Sequence, residues 1–231
     1  MVIGGIQKLT LLDYPGKVAA TIFTAGCNFR CPFCHNAPLV TDINKEYFIS
    51  EDEIFGFLKK RVGILDGVVI TGGEPTLMKD LPEFISKIKA LGYQVKLDTN
   101  GSDPDMLQYL IDEKMVDYVA MDIKNSIPKY PETAGVDGSF DIDAIKRSAD
   151  ILMQGKVDFE FRTTVIHPYH TEDDFEQIGK WLAGKEKFFL QSFVDSGNLV
   201  GQDVYGATKE EMIAFRDKLR VYVENAQIRG I

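Results

Sequence analysis

The chain is 231 residues long, with 45% hydrophobic and 26% charged residues, which is enough for one α/β domain with a sizeable core. Its net charge of −9 leaves it without the basic surface that nucleic-acid-binding proteins need. The longest uncharged run near the N-terminus, residues 18–29, is too short to span a bilayer, and no signal peptide precedes it. We therefore predict a cytoplasmic protein that binds neither nucleic acid nor membrane.

Strand and helix signals alternate along the whole chain. β-rich runs predict six strands, at residues 18–24, 67–71, 93–97, 116–121, 157–163 and 187–192. Capping residues begin the helices at Ser50, Asp80, Asp103, Asp141, Thr171 and Thr208, and the last helix is expected to end near Glu224. Alternating βα units imply a parallel sheet, and six units are too few for a closed eight-stranded barrel. We predict one α/β domain over residues 1–231, a partial open (β/α)6 barrel with a core at 18–225 and an N-terminal extension at 1–17.

All three cysteines lie in one short stretch, with Cys27, Cys31 and Cys34 spaced C-x3-C-x2-C. A structural zinc site prefers four closed ligands, whereas an iron–sulfur cluster held by three thiolates keeps one iron open for a substrate. A clustered, odd set also argues against disulfides and for a reducing compartment. We favour a 4Fe–4S cluster. The alternatives are buried reduced cysteines, or a zinc site completed by His35, although adjacent residues seldom both reach one tetrahedral ion.

This cysteine spacing, with aromatic Phe33 before the last cysteine, is similar to the signature of the radical S-adenosylmethionine (SAM) enzymes. The stretch 10–16, Thr-Leu-Leu-Asp-Tyr-Pro-Gly, followed by a short apolar strand and residues 26–36, more particularly resembles the glycyl-radical-enzyme activating enzymes. Within those it most resembles the activators of anaerobic ribonucleoside-triphosphate reductase. The resemblance implies an oxidoreductase with the radical SAM barrel fold, a 4Fe–4S cluster and SAM.

Two further motifs follow predicted strands, where the chemistry of parallel α/β folds gathers. Residues 71–75, Thr-Gly-Gly-Glu-Pro, contain two glycines that let a backbone approach a ligand. Alone this motif predicts a turn. After such a cysteine motif it resembles the loop that holds the SAM amino group, with Gly73 in backbone contact and Glu74 orienting the loop. Residues 97–101, Leu-Asp-Thr-Asn-Gly, close the next strand and are by themselves typical of a helix cap or an Asx-turn.

Charged residues follow at the later strand ends. Asp122 and Lys124 alternate onto one face, where they either contact a ribose and a carboxylate or form an ion pair. The resemblance implies that Arg162 lies near the SAM carboxylate, and that Asp98, Thr99 and Asp122 hold a monovalent cation there. The complete set of predicted SAM contacts is Phe33, His35, Gly72, Gly73, Glu74, Asn100, Asp122, Lys124, Arg162 and Gln191.

The turn after the fifth predicted strand departs from the family. It reads His167-Pro168-Tyr169 where the family has Pro-Gly, so adenine contacts are not assigned to it. Gln191 is the candidate at a position where some relatives place a histidine on the ribose. His167 and His170 are predicted to be loop histidines and not ligands.

The resemblance also implies the reaction and its partners. The reduced cluster cleaves SAM, and the resulting 5′-deoxyadenosyl radical takes hydrogen from a glycine of a partner, here anaerobic ribonucleotide reductase, with a flavodoxin or ferredoxin-like electron donor. The loop 125–139, with Tyr130 and Gly135, and the stretch 195–206 are expected to form a docking rim or else plain surface loops. The alternatives are a radical SAM enzyme acting on a small molecule, such as a 7-carboxy-7-deazaguanine synthase, and a non-catalytic iron–sulfur or zinc scaffold protein.

Overall fold

The computed structural model describes residues 1–41, 43–137, 140–195, 197 and 199–231, and in these ranges strands and helices alternate. The strands are β1 Ile3–Thr10, β2 Ala19–Thr24, β3 Gly67–Gly72, β4 Gln94–Thr99, β5 Tyr118–Asp122, β6 Asp158–His167, β7 Gly184–Ser192, β8 Tyr205–Gly206 and β9 Val223–Arg229. The helices are α1 Ala37–Val40, α2 Glu51–Lys59, α3 Leu81–Ala90, α4 Pro104–Asp112, α5 Tyr130–Ala134, α6 Ile142–Met153, α7 Glu172–Trp181 and α8 Lys209–Arg220. Among these helices none is both long and apolar enough to cross a bilayer.

The strands form one sheet in the order β1-β2-β3-β4-β5-β6-β7-β9. All neighbours from β2 to β9 are parallel, whereas β1 joins the edge of β2 in the antiparallel direction. The short β8 pairs antiparallel with the end of β6. Within the described ranges β1 and β9 pair with one neighbour each, so the sheet stays open between them. The predicted open α/β barrel is confirmed.

The two faces of the sheet differ in polarity because alternate side chains point to opposite sides. The outer face, including Ile22, Ile70 and Leu97, packs with the helices in the main apolar core. The inner face has only a small apolar cluster at the amino ends of the strands, formed by Tyr14, Ala19, Val69 and Tyr118. Further along the same face the strands carry charged and polar side chains, and these face the mouth of the barrel.

The N-terminal segment closes the lower end of the barrel. The Tyr14 ring centroid lies 6.1 Å from that of Tyr118. A Cβ at Gly67 would lie 2.9 Å from the Tyr14 ring, so this position has no space for a larger residue. Asp13 accepts a hydrogen bond of 2.6 Å from the Thr21 hydroxyl. Residues 10–16 therefore lie under the barrel, away from the cysteine loop.

All six predicted strands are present, and the structure adds the edge strands β1 and β9. The predicted end of the last helix was wrong, because α8 ends at Arg220 and residues 223–229 form β9. The segment predicted as an N-terminal extension contributes β1. Each edge strand has only two buried positions, Ile3 and Thr10 in β1 and Val223 and Ala226 in β9, so neither shows the regular alternation that indicates a strand. Pairing with β2 and β7 decides their conformation.

The predicted loop 125–139 is partly helical. It contains a 3-10 turn at Ile127–Lys129 and the helix α5, while residues 138 and 139 lie outside the described residues. Tyr130 is fully buried, and its hydroxyl donates to the Asp122 carbonyl at 3.2 Å. Tyr130 itself therefore belongs to the core, and only other parts of this segment are exposed. A hydroxyl on a mostly apolar ring is stable in a core when it finds one backbone acceptor.

Candidate functional site

One cavity of about 230 Å³ lies at the carboxyl ends of the parallel strands. Its lining includes every residue to which sequence analysis assigned a cofactor or a metal, namely Cys27, Cys31, Phe33, Cys34, His35, Gly72, Gly73, Glu74, Asp98, Thr99, Asn100, Asp122, Lys124, Arg162 and Gln191. It also includes residues that sequence analysis missed, namely Phe29, Asn36, Val40, Thr71 and Thr164. Thr164 lies two residues after Arg162 in β6, and Thr71 lies two residues before Gly73, which follows the end of β3. Side chains two residues apart in a strand point to the same face, and this alternation could have predicted both residues.

The cysteine loop follows β2 and is fastened by backbone hydrogen bonds from distant segments. The Gly26 amide donates to Leu39 at 2.8 Å, and the Arg30 amide donates to Ala134 at 2.9 Å. The Gly201 amide donates to the Pro32 carbonyl at 2.8 Å. These contacts add to the turn within the loop, in which the Cys34 amide donates to the Cys31 carbonyl at 3.1 Å. The cysteines are thereby presented by a rigid support.

Arg30 fastens the same loop from within. Its Nη1 donates to the Cys27 carbonyl at 2.6 Å and to the Phe29 carbonyl at 2.8 Å. The guanidinium therefore satisfies two loop acceptors and places one positive charge beside the cysteines. A positive charge there favours the thiolate form that binds metals.

The three thiols are free and differ in burial. Cys31 is buried, whereas Cys27 and Cys34 are partly exposed toward the cavity. Burial raises the pKa of Cys31 to about 12 and also raises the pKa of Cys27. Without a metal these two groups are therefore neutral thiols near pH 7. A bound metal would displace their protons, which makes its affinity pH-dependent.

The glycine loop after β3 lies directly against the cysteine loop. A Cβ on Gly73 would come within 1.9 Å of the Gly26 carbonyl oxygen, and the Glu74 amide donates to that oxygen at 2.8 Å. Gly72 has φ +111°, in a region that side chains rarely adopt. The Asn36 amide group donates to the Gly72 carbonyl at 2.9 Å. Only glycine fits both positions, so the backbone of this loop is exposed to the cavity.

Glu74 organises the loop from inside and not as a surface ligand. Its side chain is buried, and its carboxylate accepts from the Thr76 hydroxyl at 2.6 Å and the Thr99 hydroxyl at 2.7 Å. The backbone N–H of Asn100 donates to the second oxygen of the Glu74 carboxylate at 2.6 Å. Burial raises its pKa, while these donors oppose that rise. Glu74 thus ties the loop after β3 to the end of β4, which fits its predicted orienting role.

Five charged side chains form a network on the inner face. Asp98 is paired with Lys96 and with Arg162 Nη1, the latter at 3.2 Å. Asp122 is paired with Arg162 at 3.0 Å and with Lys124 at 3.1 Å. Although burial opposes ionisation, Arg162 and the neighbouring lysines lower the pKa of both carboxyls, that of Asp122 to about 2. Asp98, Asp122, Lys124 and Arg162 are therefore charged near pH 7.

Asn100 links β4 to the cysteine loop. Its Nδ2 donates to Asn28 Oδ1 at 3.0 Å and lies 3.8 Å from Cys27 Sγ. Asn28 in turn donates to the Ser102 hydroxyl at 2.8 Å. The predicted Asx-turn is also present, since the Ser102 amide donates to Asn100 Oδ1 at 2.9 Å. The side chain of Asn100 therefore closes this Asx-turn and also contacts the cysteine loop.

Histidines serve different purposes around this cavity. His35 lines it and packs edge-on against Phe193, with ring centroids 5.4 Å apart, and burial lowers its pKa. His170 is buried in the turn after β6, as a loop histidine. Its Nδ1 accepts from the Ile166 amide at 3.1 Å, and its Nε2 donates to the Lys124 carbonyl at 2.9 Å. His170 thus positions the backbone of Lys124.

These features define the class of the protein. It is an α/β enzyme domain whose cysteine loop and glycine loop meet at the carboxyl ends of parallel strands. The family model of the radical SAM superfamily matches residues 21–182, and the chain belongs to this superfamily. The match includes the cysteine loop and every strand from β3 to β6.

Similar proteins agree with this assignment. The chain is 36% identical over 194 residues to a protein of Methanocaldococcus jannaschii provisionally named as a glycyl-radical enzyme activating enzyme, covering 83% of this chain and 79% of that protein. It is 35% identical over 159 residues to a protein of Saccharolobus islandicus provisionally named as a GTP 3′,8-cyclase, covering 66% of this chain but 48% of that protein. A radical SAM methyltransferase from Sphaerobacter thermophilus has a similar fold, with a TM-score of 0.74, 13% identity and coverage of 96% of this chain and 68% of that one.

The superfamily implies a 4Fe–4S cluster and SAM, and the residues present fit both. Three free thiols line the cavity, and the glycine loop beside them leaves a cradle that any Cβ would fill. Thiolates are the ligands that iron–sulfur clusters use. Across the described residues, no three His, Cys, Asp or Glu side chains are grouped closely enough to hold a single metal ion.

The residues predicted to hold a monovalent cation do not fit one as they stand. Asp98 and Asp122 are engaged with lysine and arginine side chains. The Thr99 hydroxyl donates to Glu74 and accepts from the Gly101 amide at 3.0 Å. The oxygen atoms that would bind a cation are thus each already engaged with a protein group.

Proposed function

We propose that this protein activates a glycyl-radical enzyme: it cleaves SAM reductively at a 4Fe–4S cluster and generates a radical on a glycine of a partner protein. The observation that carries the proposal is the meeting of the cysteine loop, the glycine loop and the charged strand ends in one cavity. The similarity to the M. jannaschii protein over 83% of the chain supports a protein substrate. We further propose anaerobic ribonucleoside-triphosphate reductase as the partner, and a flavodoxin or ferredoxin-like electron donor.

The cofactors supply the difficult chemistry, and the protein positions them. When bound, the cluster passes one electron to SAM, which then releases a 5′-deoxyadenosyl radical able to take hydrogen from a glycine Cα. Cys27, Cys31 and Cys34 would hold the cluster through thiolates. The side chains of Phe29 and Phe33 are almost completely buried beside them, which limits access of water to this part of the cavity.

The remaining lining residues would bind SAM. The backbone of Gly72 and Gly73 faces the cavity and is suited to accept from its amino group. Lys124 and Arg162 present positive charge to its carboxylate. Lys124 also lies 5.9 Å from the centre of the Phe33 ring, so its ammonium is held between this ring and Asp122. Gln191, from β7, also lines the cavity, and we propose it as the candidate ribose contact.

The open sheet would admit the partner. Among the described strands β1 and β9 are not paired with each other, so the barrel wall is not closed, as access for a glycine on another protein would require. Residues 125–137 and 199–206 flank the cysteine loop, through Ala134 to Arg30 and through Gly201 to Pro32. Residues 196 and 198 of the predicted rim lie outside the described residues. We propose the exposed parts of these two segments as the docking rim.

The test is an anaerobic reconstitution of the cluster, followed by reduction and addition of SAM and the reductase from the same source. The electron paramagnetic resonance spectrum and the 5′-deoxyadenosine formed are both measured. A glycyl-radical doublet, absent when the reductase glycine is replaced by alanine, is the expected result. Formation of 5′-deoxyadenosine without the doublet would contradict the proposed partner. If a cluster-loaded sample forms neither the doublet nor 5′-deoxyadenosine, the proposed mechanism is contradicted.

A second candidate is a radical SAM enzyme that acts on a small molecule. The similarity to the S. islandicus protein, provisionally named as a GTP 3′,8-cyclase, favours it. If this candidate is correct, the protein converts a purine nucleotide, or a pterin-like substrate as 7-carboxy-7-deazaguanine synthases do, with no protein partner present. Incubation of the reduced, cluster-loaded protein with SAM and GTP, followed by mass spectrometry of the nucleotides, distinguishes the two candidates.

A further inference from the structure

Lys96 is a buried lysine on the inner face of the barrel, and sequence analysis did not assign it a role. Its side chain is 2% exposed. In the sheet it lies beside Val69 and Tyr118, which both belong to the apolar cluster under the cavity. An ammonium group is costly to bury unless it is paired, and Lys96 is paired with Asp98. Lys96 therefore places its ammonium group against Asp98, a residue that lines the SAM cavity.

The acidic side chains around Lys96 already have partners within the protein. Lys96, Lys124 and Arg162 are paired with the carboxylates of Asp98 and Asp122, so three basic side chains share two acids in this network. The other two buried acids nearby have their own partners. Glu160 is paired with Arg229 at 2.8 Å, and Glu74 accepts from Thr76, Thr99 and Asn100. An anion such as a carboxylate suits this network, and an additional cation would be repelled.

Lys96 pairs with Asp98 as a monovalent cation bound at this site would. Asp98 lines both the SAM cavity and a second cavity behind it, and Lys96 approaches Asp98 from that second cavity. Arg162 approaches the same carboxylate from β6 and lines both cavities as well. Both carboxylate oxygens of Asp98 are thus paired with a basic side chain. The Thr99 hydroxyl, which would be the next oxygen ligand, is committed to Glu74.

We propose that Lys96 takes the place of the monovalent cation that the family resemblance implies, and that this protein binds SAM without sodium or potassium. Lys96 is then a positioning residue: it holds Asp98, and through Asp98 it orients Arg162 toward the SAM carboxylate. This inference rests on the SAM site of the proposed function. It is independent of the protein substrate proposed there.

The first experiment detects the ion directly. Cluster-loaded protein is dialysed to equilibrium against radioactive rubidium, a substitute for potassium, with SAM present. The Asp98→Asn variant, which removes the central carboxylate, is dialysed in parallel to measure ions bound elsewhere on this acidic chain. We expect equal rubidium binding by both proteins. One additional rubidium ion per chain in the unchanged protein would overturn the proposal. Because this readout needs no partner enzyme, it is separate from the test of the proposed function.

The second experiment measures SAM binding by titration calorimetry at constant ionic strength, in potassium chloride and in tetramethylammonium chloride. The unchanged protein should bind SAM equally in both salts. Lys96→Met should bind SAM at least about thirtyfold more weakly in tetramethylammonium and regain affinity in potassium, because a buried charge that loses its partner costs that much or more. Lys96→Arg should keep salt-independent binding, and Lys87→Met, which removes an exposed lysine, should behave as the unchanged protein.

Either of two results in this second experiment would contradict the role of Lys96. One is tight binding of SAM by the unchanged protein in potassium alone, and the other is unaltered affinity of Lys96→Met in tetramethylammonium. If Lys96→Met does not fold, the rubidium measurement on the unchanged protein still decides the question.

Discussion

Gly73 lies so close to Gly26 that the two loops carrying the site are packed backbone against backbone. A Cβ on Gly73 would be 1.9 Å from the Gly26 carbonyl oxygen, well inside any real contact distance. The same oxygen accepts from the Glu74 amide at 2.8 Å. The cysteine loop and the glycine loop therefore keep a fixed separation, and the cofactors that each would hold are placed next to each other by this contact.

Replacing Gly73 by alanine should separate these loops. The methyl group meets backbone atoms that cannot rotate away, so we expect SAM to bind at least about tenfold more weakly. The cysteines themselves are unchanged, so iron and sulfide should still bind. Calorimetric titration of cluster-loaded protein with SAM measures this effect.

Gly56→Ala is the matched control for Gly73→Ala. Gly56 lies within α2, and a Cβ there would meet nothing within 4 Å. Alanine in a helix is favoured over glycine by up to about 1 kcal/mol, so this variant should be slightly more stable and bind SAM normally. Equal SAM affinity of the Gly73 and Gly56 variants would refute the role of the close loop contact.

Gly135→Ala should weaken retention of the cluster. Gly135 ends α5 with φ +64°, and its Cβ would lie 2.1 Å from the Arg30 carbonyl oxygen, next to Cys31. The substitution therefore combines backbone strain with a clash that displaces the cysteine loop. We expect faster loss of iron to a chelator, followed by the visible absorption of the cluster.

Gly155→Ala supplies the control for this variant. Gly155 also has a positive φ, +70°, but a Cβ there would meet nothing within 4 Å. It therefore has the strain without the clash, and cluster loss should stay at the rate of the unchanged protein. If both variants lose iron at the same rate, the contact with Arg30 does not support the cluster.

Glu74→Gln should destabilise the protein even before any cofactor is bound. The amide oxygen of glutamine can accept from Thr76 and Thr99, but its amide nitrogen then faces the backbone N–H of Asn100 and cannot accept that hydrogen bond. A buried donor facing other donors costs about 1–3 kcal/mol. Denaturant unfolding of the cluster-free protein measures the loss.

The exposed Glu83→Gln variant is the comparison for Glu74→Gln. Glu83 is 72% exposed and paired only with Lys87, so its replacement should change stability by less than about 0.5 kcal/mol. A Glu74→Gln protein that is as stable as the Glu83→Gln protein would contradict the bridging role of Glu74.

Stability should fall as the pH decreases from about 6.5 to 4, because of His170. Burial lowers its pKa in the folded protein to about 4, from 6.5 in the unfolded chain. Between these values the unfolded chain binds a proton that the folded protein does not, so acid favours unfolding. The difference corresponds to about 3 kcal/mol at the acid end of this window. Urea unfolding of cluster-free protein at several pH values measures it.

His170→Gln tests the source of this pH dependence. Glutamine does not titrate, so the slope of stability against pH should become much smaller between pH 6.5 and 4. A smaller slope from His35, whose pKa burial also lowers, should remain. Glutamates whose pKa the fold lowers from 4.5, such as Glu160, add a residual slope near the acid end of this window, whereas Asp122 acts at lower pH, since the pKa of its carboxyl is lowered to about 2. An unchanged slope in His170→Gln would show that other groups control this window.

The sequence by itself determined the content of the site. Covalent spacing keeps Cys27, Cys31 and Cys34 on one loop, and strand ends place Gly73, Asp98 and Asp122 at the same edge of a parallel sheet. These relationships depend only on neighbouring residues and on the known geometry of βα units. This is why every predicted site residue lines the same cavity. The partial α/β barrel followed from the same alternation of strands and helices.

Only the tertiary structure decided what those residues contact. The pairing of Lys96 and Arg162 with Asp98, the burial of Tyr130 and the edge strands β1 and β9 all involve segments far apart in the chain. Local sequence patterns contain no information on which distant side chain will neutralise a buried carboxylate. That choice is made when the strands come together in one sheet, because desolvation then forces each buried charge to find a partner.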